Sequence, residues 1–437
     1  MKTKLIGLVA GVAIMGLASS AMAVSYASGV VKTGDDVSFI LNQNALSVQV
    51  VLDGGAQTLN LPTTAGQLNF NMTGYSSYQI KVASYGGSGW TKYIPDGFDR
   101  SIYTPNGISI DKNPSSANFG KVFVSNATTG TTTAGGFGRN TPEGIYVVRA
   151  DGVHTGFGTG GVAWGGTLGP GKSTIGPDGH LYVTDLSNDL CYEMSSDLTS
   201  ATQLIDASNK TTSQYINSII VTGTQAGGDR KIHLVNGYFV NTRTGVIEYN
   251  LGANATATAN DTGSQMLDAA PFNNYYPYDI ARDSSGDWYV CSYRSTAGQA
   301  PPIVKFDGTG SYLLNDDILW SASSAYAGSP RGIDIDEDAG LVAYSAYDNG
   351  YVRIFDMETG AFIEEFDAGS RGRELAFDAA GNLVTLDSTL EQIQFWSPGG
   401  YWNTVYGSDG TFAIIPEPTT LSLLTLGGLA LLLRRRR

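Results

Sequence analysis

Six times along the chain an apolar, strand-like run closes on an acidic or polar turn, and this recurrence restricts the fold more than any other feature. The openings read PNGISID (Pro105 to Asp111), KSTIGPD (Lys172 to Asp178), INSIIVT (Ile216 to Thr222), PYDIARD (Pro277 to Asp283), PRGIDID (Pro330 to Asp336) and GRELAFD (Gly372 to Asp378). Second strands follow as KVFVSN, HLYVTD, KIHLVN, DWYVCS, GLVAYS and NLVTLD, and third strands include GIYVVRA, LCYEM, GVIEYN, PIVKFD, YVRIFD and QIQFWS. The mean spacing is about 53 residues, enough for a small antiparallel sheet of about four strands per unit. Sheets this short and this apolar cannot cover their faces alone, so the repeat implies units stacked against one another in a closed ring.

Composition agrees. Only 15% of the 437 residues are charged, 42% are hydrophobic and 56 are glycine, a balance that favours short strands and tight turns over long surface helices. The formal charge is −14. Loss of the basic residues at the two ends would make the remaining body more acidic still, which excludes nucleic acid and anionic membrane as natural partners. Cys191 and Cys291 fall in non-neighbouring units and are expected to be free, buried thiols.

The repeats resemble the NHL and YVTN-type β-propeller families. Pro177-Asp178-Gly179-His180-Leu181-Tyr182-Val183-Thr184-Asp185 is the clearest copy of the family's turn and strand, and Phe355-Asp356-Met357-Glu358-Thr359-Gly360 the clearest ending. The resemblance implies an all-β fold with a propeller over residues 105–415. It has six blades, or seven if Trp90 to Tyr103 or Tyr401 to Ile415 supply extra strands. A strand from one terminus, Trp90 to Ile94 or Thr411 to Ile415, is expected to close the ring.

Residues 24–89 have a separate character. DVSFIL, LSVQVVLD, QTLNL, QLNFNM and YQIKVAS alternate apolar and polar residues, as half-buried antiparallel strands do. They resemble the immunoglobulin-like domains of the flagellar hook-capping type, which implies a small β-sandwich serving as a spacer or interaction module. Residues 90–104 read as a linker.

The ends carry sorting information. Lys2 and Lys4, an apolar run from Leu5 to about Ala18, and Ala21-Met22-Ala23 form a signal peptide cut by signal peptidase after Ala23. At the other end, Pro416-Glu417-Pro418, an apolar stretch from Thr419 to Leu433 and Arg434, Arg435, Arg436 and Arg437 resemble the PEP-CTERM sorting signal. That resemblance covers about the last 22 residues (416–437). It implies a short C-terminal transmembrane helix, an exosortase-type sorting enzyme as partner, and delivery to the surface or extracellular matrix of a Gram-negative bacterium that makes extracellular polysaccharide.

No residue set makes a convincing active site. Gly166 to Ser173 matches the phosphate-loop pattern G-x-x-x-x-G-K-[ST], but Thr174 to Gly179 cannot form the helix such a loop needs, so it reads as an interblade loop. Asp334 to Gly340 only loosely resembles a calcium loop, since Ala339 stands where glycine is required. Calcium is the one ion with any sequence support, and no cofactor is expected. His154, His180 and His233 are scattered and lack a catalytic signature.

One constellation follows from the register. Aligned on the residue closing each opening, Asn106, Ser173, Asn217, Tyr278, Arg331 and Arg373 fall together, just before each innermost strand. They are expected to ring one mouth of the central channel and to bind a ligand there, with acidic polysaccharide as the candidate because arginine favours planar carboxylates and stacks on flat faces. The leading expectation is therefore an exported binding module. The alternative is a hydrolase or lyase of the gluconolactonase-like six-bladed class, which implies a channel metal. Asn106, Asn217, Asp279 and Glu374 are the residues available to hold it.

Overall fold

The computed structural model describes residues 24–207, 215–237, 244–258, 261–273, 275–293, 298–308 and 316–416. The expected signal peptide and the segment carrying Glu417, Pro418 and Arg434 to Arg437 lie outside these residues. Among the described residues no helix is long and apolar enough to cross a membrane, and the span expected from Thr419 to Leu433 lies outside them too.

The described chain is all-β, and six four-stranded sheets follow one another along it. Their innermost strands are Pro105–Ile110, Ser173–Ile175, Ile216–Thr222, Tyr276–Arg282, Pro330–Asp336 and Gly372–Phe377. Each of the first five sheets uses four consecutive main strands. The sixth has only three of its own, ending at Gln392–Ser397, and takes its outer strand, Thr91–Ile94, from ahead of the first blade. The stretch expected to be a linker thus supplies the closing strand, and Trp90 beside it stacks on Phe366 at 5.5 Å and donates to Glu364 at 2.9 Å.

Ring closure is visible in the cores. Six buried apolar clusters lie between successive blades, each drawing on two neighbouring sheets. The cluster joining last blade to first holds Ala376, Leu386 and Phe395 against Ile108, Val124 and Tyr146. Ile108, Ile219, Ile280, Ile333 and Leu375, one from each of five inner strands, are all buried, and each contributes about 1.5–3 kcal/mol by leaving water. The two thiols are free and buried, as expected.

The N-terminal unit is two packed sheets. One pairs Ala27–Thr33, Asp36–Leu41 and Gly66–Asn71. The other runs in the order Phe412–Pro416, Gly400–Gly407, Tyr78–Gly86, Ser47–Leu52, Gln57–Leu61. Its first two members come from the far end of the chain. The boundary at residue 415 is therefore corrected: residues 400–416 belong to the sandwich, neither to a seventh blade nor to ring closure. The cause is pairing along Tyr78–Gly86, where Gly86 opposes Gly400 and Gln79 opposes Gly407, with Tyr406 and Phe412 packed into the sandwich core. The propeller is an insertion that leaves the sandwich at Gly86 and returns at Gly400. Pro416 ends the last strand opposite Trp402.

The two units share a buried joint. Val24 N donates to Ser397 Oγ at 2.7 Å, and Asn382 Nδ2 donates to Val24 O at 3.0 Å and to Asp378 Oδ2 at 2.9 Å. Burial pushes the Asp378 carboxyl up to about 6, against the hydrogen bonds from Asn382 and Ala380 that favour its charged form. A carboxyl raised in the folded state stabilises below its unfolded value, near 3.9, and loses that contribution as pH rises through about 6, a change of about 3 kcal/mol. Urea denaturation of wild type and Asp378→Asn at pH 4 and pH 7 is expected to show the difference between them shifting in favour of the variant by roughly that amount.

Candidate functional site: the central channel

The inner strands enter the ring through bulges. In five blades the ladder skips one residue between partners: Pro105 to Gly107, Ile216 to Ser218, Pro277 to Asp279, Pro330 to Gly332 and Gly372 to Glu374. The skipped residues are Asn106, Asn217, Tyr278, Arg331 and Arg373, five of the six expected at the mouth. A bulge leaves its extra residue outside the ladder and re-aims its side chain, which is why these positions face the channel end.

Ser173 is the exception. It pairs regularly with Val183, and its Oγ lies 3.1 Å from Ser109 Oγ, deeper in the channel. The alignment slipped by two because the second blade holds its aspartate within the turn. Gly176 N bonds His180 O and Gly179 N bonds Gly176 O, so Gly176 takes the place that Asp111, Asp283 and Asp378 hold elsewhere, and Asp178 comes two residues late. With the register corrected, Lys172 bonds Thr184 across the ladder and joins Gly107, Ser218, Asp279, Gly332 and Glu374 in one layer.

That layer closes the channel with a buried charge cluster. Lys172 Nζ lies 2.7 Å from Asp279 Oδ2, also contacts Glu374 Oε2, and donates to Arg331 O. Asp279 accepts from Ser218 Oγ, from Ile280 N at 2.9 Å and from Ile333 N at 2.8 Å. Glu374 accepts from Leu375 N at 3.1 Å. Side chains of Lys172, Asp279 and Glu374 are about 5–6% exposed. Burial opposes the Lys172 charge, but the two carboxylates outweigh it and hold the ammonium above its ordinary range. Burial and the Asp279 charge push Glu374 well above the usual carboxylate range, against the pull of Lys172. The glycines make room: a Cβ on Gly332 would stand 2.3 Å from Glu374 Oε1, and one on Gly107 2.6 Å from Lys172 Cα.

On one side of this layer lies an arginine–tyrosine box. The Arg331 guanidinium sits 3.6 Å from the Tyr347 ring centre, 4.4 Å from Tyr293 and 5.3 Å from Tyr278, and donates to Tyr293 OH at 2.6 Å. Arg371 and Arg373 each lie 5.4 Å from the same Tyr347 ring. Burial and the Arg331 charge pull Arg373 below its ordinary value, yet a guanidinium stays protonated. Among the described residues none of these three arginines has a carboxylate partner within ion-pair distance. Arg331 Nε, Arg373 Nε and both amide atoms of Asn217 are buried without a hydrogen-bond partner. Asn106, in contrast, spends its amide on Leu168 O at 3.4 Å.

On the other side the channel opens into a cavity of about 540 Å³, lined by Ser109, Ser173, Ser218 and rows of isoleucine and floored by Lys172, Asp279 and Glu374. Lys112 and Asp334, paired at 2.9 Å, stand at its rim.

The channel does not fit a metal held by Asn106, Asn217, Asp279 and Glu374. The two carboxylates converge, but on the Lys172 ammonium, which stands where a cation would sit. The acidic run from Asp334 does not converge either. Asp334 is held by Lys112 and Phe377 N, Asp336 accepts from Ala339 N, and Glu337 accepts from Ser284 N. The sequence does not single out Lys172, whose phosphate-loop pattern reads as an interblade loop, nor Tyr293, which ends a second strand, nor Tyr347, which follows one; neither tyrosine matches a motif.

No protein-family model matches the chain, and no curated protein matches it by sequence. Solved structures similar to it include a gluconolactonase from Xanthomonas campestris, 14% identical over 73% of this chain and 89% of that one, with a TM-score of 0.46. A calcium-binding regucalcin from Agrobacterium tumefaciens is 13% identical over 71% and 95%, also at 0.46. Virginiamycin B lyase from Staphylococcus aureus is 14% identical over 75% and 89%, at 0.37. At these identities and scores the likenesses carry no functional weight.

Removing the lysine strands two buried carboxylates. Lys172→Met is expected to cost about 3–5 kcal/mol in chemical denaturation at neutral pH. Glu374→Gln alone should cost less, and adding it to Lys172→Met should recover part of the loss.

Proposed function

We propose that this is an exported binding protein whose propeller takes an acidic polysaccharide of the extracellular matrix at the arginine–tyrosine mouth. One observation carries the reading: in a chain of net charge −14, three arginines gather on one tyrosine ring, with no carboxylate among the described residues to pair with them. Guanidinium groups stacked on aromatic rings and without carboxylate partners suit the planar carboxylates of uronic-acid sugars, and Tyr347, half-buried, is the ring beside all three. The hydrolase or lyase reading needs a channel metal, and Lys172 opposes one there.

The two ends support export. A signal peptide would release the chain at Val24, and the PEP-CTERM tail would direct it through an exosortase-type enzyme to the surface or matrix of a Gram-negative cell. The tail continues from the sandwich strand ending at Pro416, so the sandwich is the part nearest the sorting signal, and the propeller is displayed from it.

Two measurements test this. Binding of the purified chain to polygalacturonate is expected to fall about 100- to 10,000-fold in Arg331→Ala/Arg373→Ala, since two charged hydrogen bonds of about 1.5–3 kcal/mol each are lost. A neutral glucan should not bind, and unchanged affinity in the double variant would refute the site. Mass spectrometry of the mature protein from its host should give a start at Val24 and an end near Pro416 to Pro418. An intact arginine terminus would refute the sorting reading.

A further inference from the structure

Away from the channel, the first turn of the second blade brings three metal-ligating groups together. Asp178, His180 and Glu193 each offer one ligand atom, and the three atoms lie within 4.8 Å of one another. His180 Nδ1 is 2.5 Å from Glu193 Oε1 and 3.9 Å from Asp178 Oδ2. Ligands around a tetrahedral zinc with bonds of about 2.0–2.1 Å stand about 3.3 Å apart, so small side-chain adjustments separate this cluster from a coordination shell. His180 is the residue that sets this turn apart from its counterparts in the other blades.

Each acidic ligand is held from behind. Asp178 Oδ2 accepts from Tyr182 OH at 2.6 Å and its Oδ1 from His180 N at 3.1 Å. Glu193 Oε2 accepts from Arg230 Nη1 at 2.7 Å. Arg230 is fully buried and anchored to Asn254 O and Ala255 O at 2.7 and 2.8 Å, so it cannot turn away. It occupies one carboxylate oxygen and leaves the other facing the imidazole. Outer partners of this kind fix ligand orientation in metal sites. A second observation is the hollow beside the cluster, about 180 Å³, lined by His180, Glu193, Ser195 and Thr202. It gives space for the water molecules or the ligand that would complete the shell.

We propose that Asp178, His180 and Glu193 bind a divalent transition-metal ion at the edge of the second blade, with zinc the best match. One imidazole nitrogen and two carboxylate oxygens suit zinc over calcium, which takes six or more oxygens. The site is separate from the channel mouth and does not depend on the glycan reading.

The test is titration of the EDTA-stripped chain with ZnCl2. One equivalent is expected to bind, with affinity falling 10-fold or more in His180→Ala and in Glu193→Gln and unchanged in His154→Ala, while calcium binds more weakly than zinc. X-ray absorption of the loaded protein should show a shell of nitrogen and oxygen. Absence of saturable zinc binding, unchanged affinity in His180→Ala, or sulfur in the shell would overturn the proposal.

Discussion

A small sheet that is apolar on both faces can hide them only against other sheets of the same kind. Everything else in this molecule follows from that constraint. Six such sheets cover one another when they close into a ring, and the ring closes only because Thr91–Ile94 crosses from the start of the inserted segment to complete the last blade. Closure places the first blade against the sixth through Ile108, Tyr146 and Phe395. It also forces the inner strand edges together around an axis, where side chains without apolar neighbours must satisfy one another.

The axis shows how that is done. Bulges at the start of five inner strands push five side chains toward one mouth, while the next residue of each strand points to a common centre. There Lys172 holds Asp279 and Glu374 together out of water. Such a cluster contributes little net stability over an apolar filling, but it is costly to break, and it fixes which side of the channel stays open. On one side it floors a polar cavity. On the other it supports arginines that find aromatic rings instead of carboxylates. The contrast between paired charges at the centre and arginines without carboxylate partners at the mouth is what the proposed binding role rests on.

Much of this was legible in the residues. The repeat was written in the apolar openings and their second strands, because glycine, isoleucine and aspartate recur at matching offsets. Five of the six aligned positions are the bulge residues of their inner strands. The sixth differs because Asp178 sits inside its turn, so an alignment on that aspartate puts Ser173 in the place of Gly171 and hides Lys172. Aligning on LYVTD against KVFVSN would have exposed the lysine. Strand exchange left no local trace: nothing in Gly400–Gly407 says that its partner is Tyr78–Gly86, more than 300 residues earlier, since pairing between distant strands is decided by the closed fold. Tyr278 lies in an inner strand, Tyr293 ends a second strand and Tyr347 follows the second strand of the next blade, and only the ring brings them to one guanidinium.

The claim beneath all of this is that the chain closes its own ring with a strand from before the first blade. Thr91 and Ser397 oppose each other in that final pairing, and the native thiols are both buried, so a Thr91→Cys/Ser397→Cys variant reports on it directly. Mild oxidation of the folded protein should produce an intramolecular disulfide, seen as a gel shift that a reductant reverses. A folded variant that forms no such bond, or links only between molecules, would contradict the closed ring.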